Sequence, residues 1–391
     1  MGRIELTEYR KESIPKDELP RKAGEYLWRS YRNVLSVEPP SFKTENSWQL
    51  TPEGWVGHIP LPEGPSIYLS PRVELSNLFR MWEYAYRLER FNFLDGMVGC
   101  DSLEDFYENI AGVLAGRVLD RGRKGFYRTY LPETDMLPFL RGRMDTKWAV
   151  TRPWEVTIRC HYEEHTGDID ENRILAWTLR KIARSGICRA EVRGRVRRAY
   201  RVLRSFVDIQ PFCGNDCVGR FYNRLNTDYQ PLHALCRFFL ESSGPTHEIG
   251  DRDMIPFLVY MPALFELFVA EWMRVHLPHG FTLKPQHGFK IDEAGNFRFI
   301  PDLVIYDRDS NGPCCVLDTK YKVPDKPGSD DIAKVAAYAL GLDCTEAVLV
   351  YPSAVIKGID THIGSVHVRS VCFGLEGDIE EQGKLFLEQI L

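Results

Sequence analysis

Apolar residues recur along this chain with two periods, and the switches between them mark out its elements. From Pro262 to His276 they fall on nearly every side of a helix, at Leu264, Phe265, Leu267, Phe268, Val269, Trp272 and Met273. A helix apolar all round is a buried one. Strands are expected near Phe289–Ile291, Phe297–Tyr306 and Cys314–Tyr321, with Gly295-Asn296 and Asn311-Gly312 as hairpin turns. A helix over Ile332–Leu340, strands at Ala347–Tyr351 and Val366–Phe373, and a last helix to Leu391 complete the pattern. That order predicts a mixed sheet flanked by helices.

The earlier part is less regular. Trp48–Leu50, Trp55–Ile59 and Ser66–Leu69 read as strands, parted by turns at Pro52-Glu53-Gly54 and Pro62-Glu63-Gly64-Pro65. Helical spacing runs from Leu75 to Leu88 and from about Leu103 to Arg117. A basic turn at Arg121–Gly125, a short run at Tyr127–Tyr130 and a loop lead to Leu140-Arg141-Gly142-Arg143. Helices are expected again at Asp170–Arg184, Arg193–Phe206 and Tyr229–Leu240, and the loop Ser242–Pro245 marks a boundary. At 391 residues two or three domains are expected. The fold class is α/β in the α+β mixed sense, with a β-rich then helical part over 1–150, a basic helical region over 151–244 and the mixed-sheet domain over 245–391.

Composition changes this picture little. With 44% hydrophobic and 27% charged residues, the chain reads as an ordinary globular protein of the cytoplasm, without a signal sequence or membrane span. Its ten cysteines are spread out, which favours free thiols over disulfides. Cys213, Cys217, His233 and Cys236 fit zinc spacing only loosely, and buried thiols on a helix are the better reading. The net charge of −5 hides one basic stripe. Between Arg180 and Arg204, Glu191 is the single acid among ten basic residues, including Arg193, Arg197 and Arg201. Such a stripe suits a phosphate backbone, although a solvated helix face has the same composition.

The chemistry concentrates in two otherwise apolar strands. Asp302 follows Pro301 in one, and Asp318 lies in Val316-Leu317-Asp318-Thr319-Lys320-Tyr321 in the next. A carboxylate is costly in such a strand unless something compensates it, and a divalent cation does so directly. Period-2 geometry puts Lys320 on the same face as Asp318, with the Thr319 carbonyl between them as a further oxygen ligand. An ammonium beside a metal-bound water can hold it for attack on phosphorus. A salt-bridged Asp–Lys pair would look the same as an isolated triplet; the Pro-Asp strand, the short turn and the buried helix raise the nuclease reading above it. Glu266, in the middle of the apolar helix, is a fourth candidate and Glu271 its rival. Lys334 and Tyr338, one turn apart on the following helix, and Lys322 are candidates for contact with DNA, and a surface Lys with a core Tyr is as good a reading of the first two.

Taken together these residues resemble the McrC family, the nuclease subunit of McrBC modification-dependent restriction systems, within the PD-(D/E)xK superfamily. The likeness rests on Leu264-Phe265-Glu266, Pro301-Asp302 and Leu317–Lys322, and upstream on Leu140–Arg143, Asp168 with Asn172–Leu175, and Arg224-Leu225-Asn226 with Tyr229. One departure stands out: the family usually has Gln in a Q-x-x-x-Y pattern where this chain has Lys334 before Tyr338. The resemblance implies a PD-(D/E)xK core that cuts DNA carrying 5-methylcytosine, using Mg²⁺ (or Mn²⁺) held by Asp302, Asp318, Glu266 and the Thr319 carbonyl. It implies an antiviral role with an McrB-like AAA+ GTPase ring as partner, and allows two such subunits to pair on double-stranded DNA. The chain has no G-x-x-x-x-G-K-[ST] loop, so GTP is expected on the partner. The strands before Leu75 and the basic residues Arg121–Lys124 are the expected ring contacts. The alternatives are a non-catalytic activator of the ring and a stand-alone nuclease.

Overall fold

Strict alternation of inward and outward side chains sets the first sheets, as in β4, where Trp48, Leu50 and Pro52 are buried and their neighbours are not. The computed structural model describes residues 2–61, 64–87, 102–242, 256–290, 298–322 and 324–391, with the backbone of 247–249 and 252–254. The turn expected at Gly295-Asn296, most of Ser242–Pro245, the first half of Pro62–Pro65, and the ends expected at Leu88, Ile291 and Phe297 lie outside the described residues.

The chain opens with β1 (Arg3–Thr7), β2 (Glu12–Pro15), α1 (Arg21–Ser30), β3 (Leu35–Glu38), β4 (Ser47–Pro52), β5 (Trp55–Ile59), β6 (Ser66–Ser70) and α2 (Leu75–Ala85). Then come α3 (Leu103–Lys124), β7 (Thr129–Leu137), β8 (Arg143–Met144), α4 (Thr146–Thr151), β9 (Ile158–Thr166), α5 (Asp170–Ser185), α6 (Ala190–Arg204) and α7 (Tyr229–Glu241). The last part holds β10 (His247–Ile249), β11 (Arg252–Met254), β12 (Phe257–Tyr260), α8 (Met261–His276), β13 (Phe281–Pro285), β14 (Phe289–Lys290), β15 (Arg298–Phe299), β16 (Leu303–Asp307) and β17 (Pro313–Thr319). It closes with α9 (Ser329–Gly341), β18 (Glu346–Tyr351), β19 (Asp360–Ile363), β20 (Val366–Cys372) and α10 (Ile379–Ile390).

Two compact units result, one of residues 1–105 with 242–391 and the other of 106–241. The boundary expected at 244/245 lies close to one of theirs, while that expected at 150/151 falls inside the second unit. The reason is the sheet β1-β6-β5-β12, in which β12 pairs antiparallel with β5 and so ties the two ends of the chain into one unit. Beside it lies the sheet β2-β4-β3. Trp48, Leu50, Ile59, Ile67 and Leu69 share one buried core there. These strands, expected to contact a ring, turn those five side chains inward.

The site sheet has the order β13-β16-β17-β18-β20-β19. β17, β18 and β20 run parallel, while β16 and β13 are antiparallel additions on one side and β19 on the other. Val304, Val316, Leu349 and Val368 pack with Val335 and Ala339 of α9. α8 and α10 contribute a second core, in which Phe373 meets Phe268 at 5.0 Å, Trp272 at 5.1 Å and Phe386 at 4.8 Å. α8 is buried, as its all-round apolar pattern demands.

Several elements differ from expectation. The strand expected over 297–306 breaks at Pro301-Asp302 into β15 and β16, since proline has no N–H to give a ladder. The edge strands β13 and β19 carry no buried alternation to announce them. The basic turn at Arg121–Lys124 is instead the last turn of α3, where positive side chains suit the helix C-terminus. Its Arg121 binds Asp228 at 3.2 Å and the Leu225 carbonyl at 3.3 Å. The loop expected after Tyr130 is mostly β7, which pairs with β9, so residues 151–244 are not wholly helical. Both strands are largely exposed and polar, which removes the periodic signal.

Candidate active site

Asp318 sits near the C-terminal end of β17 on the face it shares with Val316, toward α9, and its side chain has no solvent exposure. Lys320 Nζ stands 2.7 Å from its Oδ2 and Lys334 Nζ 3.0 Å from its Oδ1. The Lys320 contact is close but poorly directed, and Oδ2 is left without a well-formed hydrogen bond. Lys320 also reaches Asp331 Oδ1 at 3.0 Å, in the first turn of α9. Burial works against the Lys320 charge, but Asp318 and Asp331 override it and hold the ammonium above the ordinary lysine range.

Asp302 occupies the break before β16. Its Oδ2 accepts the Thr319 backbone N–H at 2.7 Å and the Thr319 hydroxyl at 2.9 Å. Burial and the negative charge of Asp318 raise its pKa, against these two hydrogen bonds. Its own carbonyl accepts the Gln286 N–H at 2.7 Å, and the Gln286 side-chain amide donates to Glu266 Oε1 at 3.0 Å. Glu266 is half-buried, and its pKa is raised by burial and then by the charge of Asp302. Thus Glu266, Asp302, Asp318 and Lys320 are brought together.

The other expected residues divide. Glu271, the rival of Glu266, is taken by Arg87, with two contacts of 2.8 Å, and by Arg274 at 2.7 Å. Tyr338 is buried in the sheet core with its ring 5.1 Å from Phe299. Lys334 lies 5.4 Å from that ring and is partly exposed. Lys322 is exposed, with its ammonium 5.4 Å from the Tyr9 ring. In the second unit, Arg193, Arg197 and Arg201 follow one another at helical spacing on α6, opposite buried Val196, Ala199 and Leu203. Thr319, expected to act through its carbonyl, holds Asp302 through its amide and hydroxyl. Gln286 and Asp331 were not foreseen, because nothing in their local sequence marks them.

Among the described residues no group of three or more His, Cys, Asp or Glu side chains forms a ready metal cluster. Asp318 faces two ammonium groups and Asp302 faces Thr319. The donor set nevertheless fits a hard cation. Three carboxylates lie within electrostatic reach of one another, the charges of two are disfavoured by burial, and Asp318 Oδ2 is buried without a directed donor. The zinc grouping does not form: Cys213 is exposed, and both ring nitrogens of buried His233 are used, by Tyr222 Oη at 2.7 Å and the Glu171 carbonyl at 3.0 Å.

A family model described as the McrBC 5-methylcytosine restriction system component matches residues 50–352. A chain of the refined half-complex from the tetradecameric assembly of Thermococcus gammatolerans McrB AAA+ hexamers with bound McrC superposes with a TM-score of 0.56 at 16% identity, covering 100% of both chains. A chain of the cryo-EM structure of the Thermococcus gammatolerans McrBC complex aligns over 71% of this chain and 88% of its own, at 16% identity and a TM-score of 0.45. No curated protein matches the chain.

Proposed function

This chain belongs to the family of McrBC 5-methylcytosine restriction system components, and from that premise we propose that it is the DNA-cutting subunit of such a system. The observation that carries the proposal is the convergence of Asp302, Asp318 and Glu266 beside a lysine that Asp318 and Asp331 hold in its charged form. Asp302, Asp318 and Glu266 would hold a Mg²⁺ or Mn²⁺ ion, with the Thr319 carbonyl as a further oxygen donor. Bound there, the cation supplies Lewis-acid stabilisation of the phosphate and a more acidic water.

The chain's own residues do the rest. Thr319 fixes one oxygen of Asp302, and Gln286 ties Asp302 to Glu266, so the carboxylates are held in place before any ligand arrives. Lys320 orients the attacking water and offsets negative charge as phosphorus gains an oxygen. Lys334, one helical turn before Tyr338, stands where a phosphate oxygen could compete for its ammonium.

The partner would be an AAA+ GTPase ring, with GTP bound by that ring and 5-methylcytosine-containing double-stranded DNA as substrate. Exposed apolar side chains support a docking face in the second unit: Tyr130, Phe139, Leu140, Trp154 and Val156 all lie on or near the β7-β9-β8 sheet. Lys320→Ala with the ring, GTP, Mg²⁺ and methylated DNA tests the reading. Cleavage should fall at least a hundredfold, on the order expected for losing a positioned charge, with GTP hydrolysis still stimulated. Undiminished cleavage refutes it. Cutting by the wild-type chain without ring or GTP would favour a stand-alone nuclease.

A further inference from the structure

Glu8, just past the end of β1, is fully buried. Its Oε1 accepts the Tyr321 hydroxyl at 2.6 Å and the Arg72 backbone N–H at 2.7 Å, while Oε2 is buried without a hydrogen-bond partner. Arg72 also donates from Nε to the Glu8 carbonyl at 2.9 Å. Tyr321 directly follows Lys320.

The next residue extends the same corner. Tyr9 is left-handed, with φ of 58°, and its ring lies 6.4 Å from that of Tyr321. Its hydroxyl fills the space over Gly54, where a Cβ would sit 2.3 Å away. Gly54, at φ of 70°, accepts the N–H of Met261 at 2.9 Å, the first residue of the helix carrying Glu266. Phe265, beside Glu266, packs on Tyr321 at 6.0 Å. One corner of the N-terminal sheet therefore touches both arms of the candidate site.

A buried carboxylate with one oxygen unsatisfied is a poor stabiliser, since burial of the charge is only partly offset. Burial indeed raises the Glu8 pKa, against the hydrogen bonds from Tyr321 and Arg72. An apolar side chain would close the same space at less cost. What the carboxylate adds is direction.

We propose that Glu8 is a positioning residue of the cleavage site: by fixing the Tyr321 hydroxyl it sets the backbone of Lys320, and with it the placement of the ammonium against Asp318. The proposal rests on the nuclease reading above. It makes the residue that follows β1 part of a site more than 300 residues away in sequence.

The test uses Glu8→Ala, Tyr321→Phe, their combination and Glu8→Gln in the full chain. Glu8→Gln keeps an acceptor oxygen and should cut within about threefold of wild type. Glu8→Ala and Tyr321→Phe should each slow single-turnover cleavage about tenfold, the scale of a small misplacement of a reacting group, with DNA affinity and melting temperature little changed. The double variant should be no slower than the slower single one. Additive losses, or losses that follow stability, overturn the proposal. Hydrogen exchange of the Lys320 amide, which donates to the Val350 carbonyl at 2.8 Å, decides independently of cleavage. It should quicken in Glu8→Ala and Tyr321→Phe but not in Glu8→Gln, and unchanged exchange sinks the link. Wild-type chain that never cuts, while exchange responds as expected, would remove the nuclease reading and leave the link standing.

Discussion

Thr319 gives two donors to one oxygen of Asp302, its backbone N–H at 2.7 Å and its hydroxyl at 2.9 Å. The residue between Asp318 and Lys320 thus grips the other strand's carboxylate and holds the pair in register. Thr319→Val keeps the shape and removes the hydroxyl. The expected result is a loss of about 1 kcal/mol in stability and about tenfold slower cleavage. Urea titration and single-turnover kinetics check the two parts separately.

Glu266 and Glu271 lie on the same helix but have different surroundings. Glu266 faces Asp302 and Gln286, whereas Glu271 is held by Arg87 and Arg274. Glu266→Gln should raise the Mg²⁺ concentration needed for half-maximal cleavage about tenfold or more, as loss of a nearby ligand or support does. Glu271→Gln should leave that concentration unchanged and cost less than about 1 kcal/mol, because both arginines are near half exposed. Metal titrations of the two variants give the comparison.

The second unit should be acid-sensitive through His233. Burial lowers the pKa of this histidine to about 4. Its neutral ring fits its partners, accepting from Tyr222 at one nitrogen and donating to the Glu171 carbonyl at the other. Because the folded pKa lies below the unfolded value near 6.5, the unfolded chain takes up the proton first. Stability is full above about pH 6.5 and falls as pH drops toward 4, by about 3 kcal/mol at most. Denaturant midpoints across that range should show the decline, and His233→Gln should make it shallower.

The α6 arginines make a prediction about salt. If Arg193, Arg197 and Arg201 each neutralise a phosphate, changing all three to Gln should weaken DNA binding and reduce the slope of log affinity against log salt by about 2 to 3. An unchanged slope would assign the stripe to solvent or to a protein partner. Folding should be little affected, since the opposite face, with Val196 and Leu203, carries the packing.

The sequence was most readable where burial enforces a period. α8, β17, β18, β20 and α10 were legible because each places apolar residues at fixed spacing against a core. Asp302, Asp318 and Lys320 were legible because charges in such strands stand out. The break at Pro301-Asp302 is only half visible in the sequence, since the apolar run continues on both sides of the proline. β7 and β9 were missed because strands exposed along most of their length have no alternation to read. Gln286, Asp331 and Glu8 were invisible for another reason. Each acts through a contact between distant parts of the chain, and an isolated polar residue in a sequence does not say what it will meet. Glu271 differs from its neighbour Glu266 only through Arg87 and Arg274, which the sequence does not place beside it.

On the proposed nuclease reading, the carboxylate of Asp318 is needed for chemistry and not for folding or for the ring. Asp318→Asn keeps the side-chain shape, so cleavage of methylated DNA and GTP hydrolysis can be measured in one reaction with Mg²⁺ and the AAA+ partner. Cleavage should fall about a thousandfold or more while stimulation of GTP hydrolysis is retained. A variant that still cuts at the wild-type rate would place the chemistry somewhere other than Asp318.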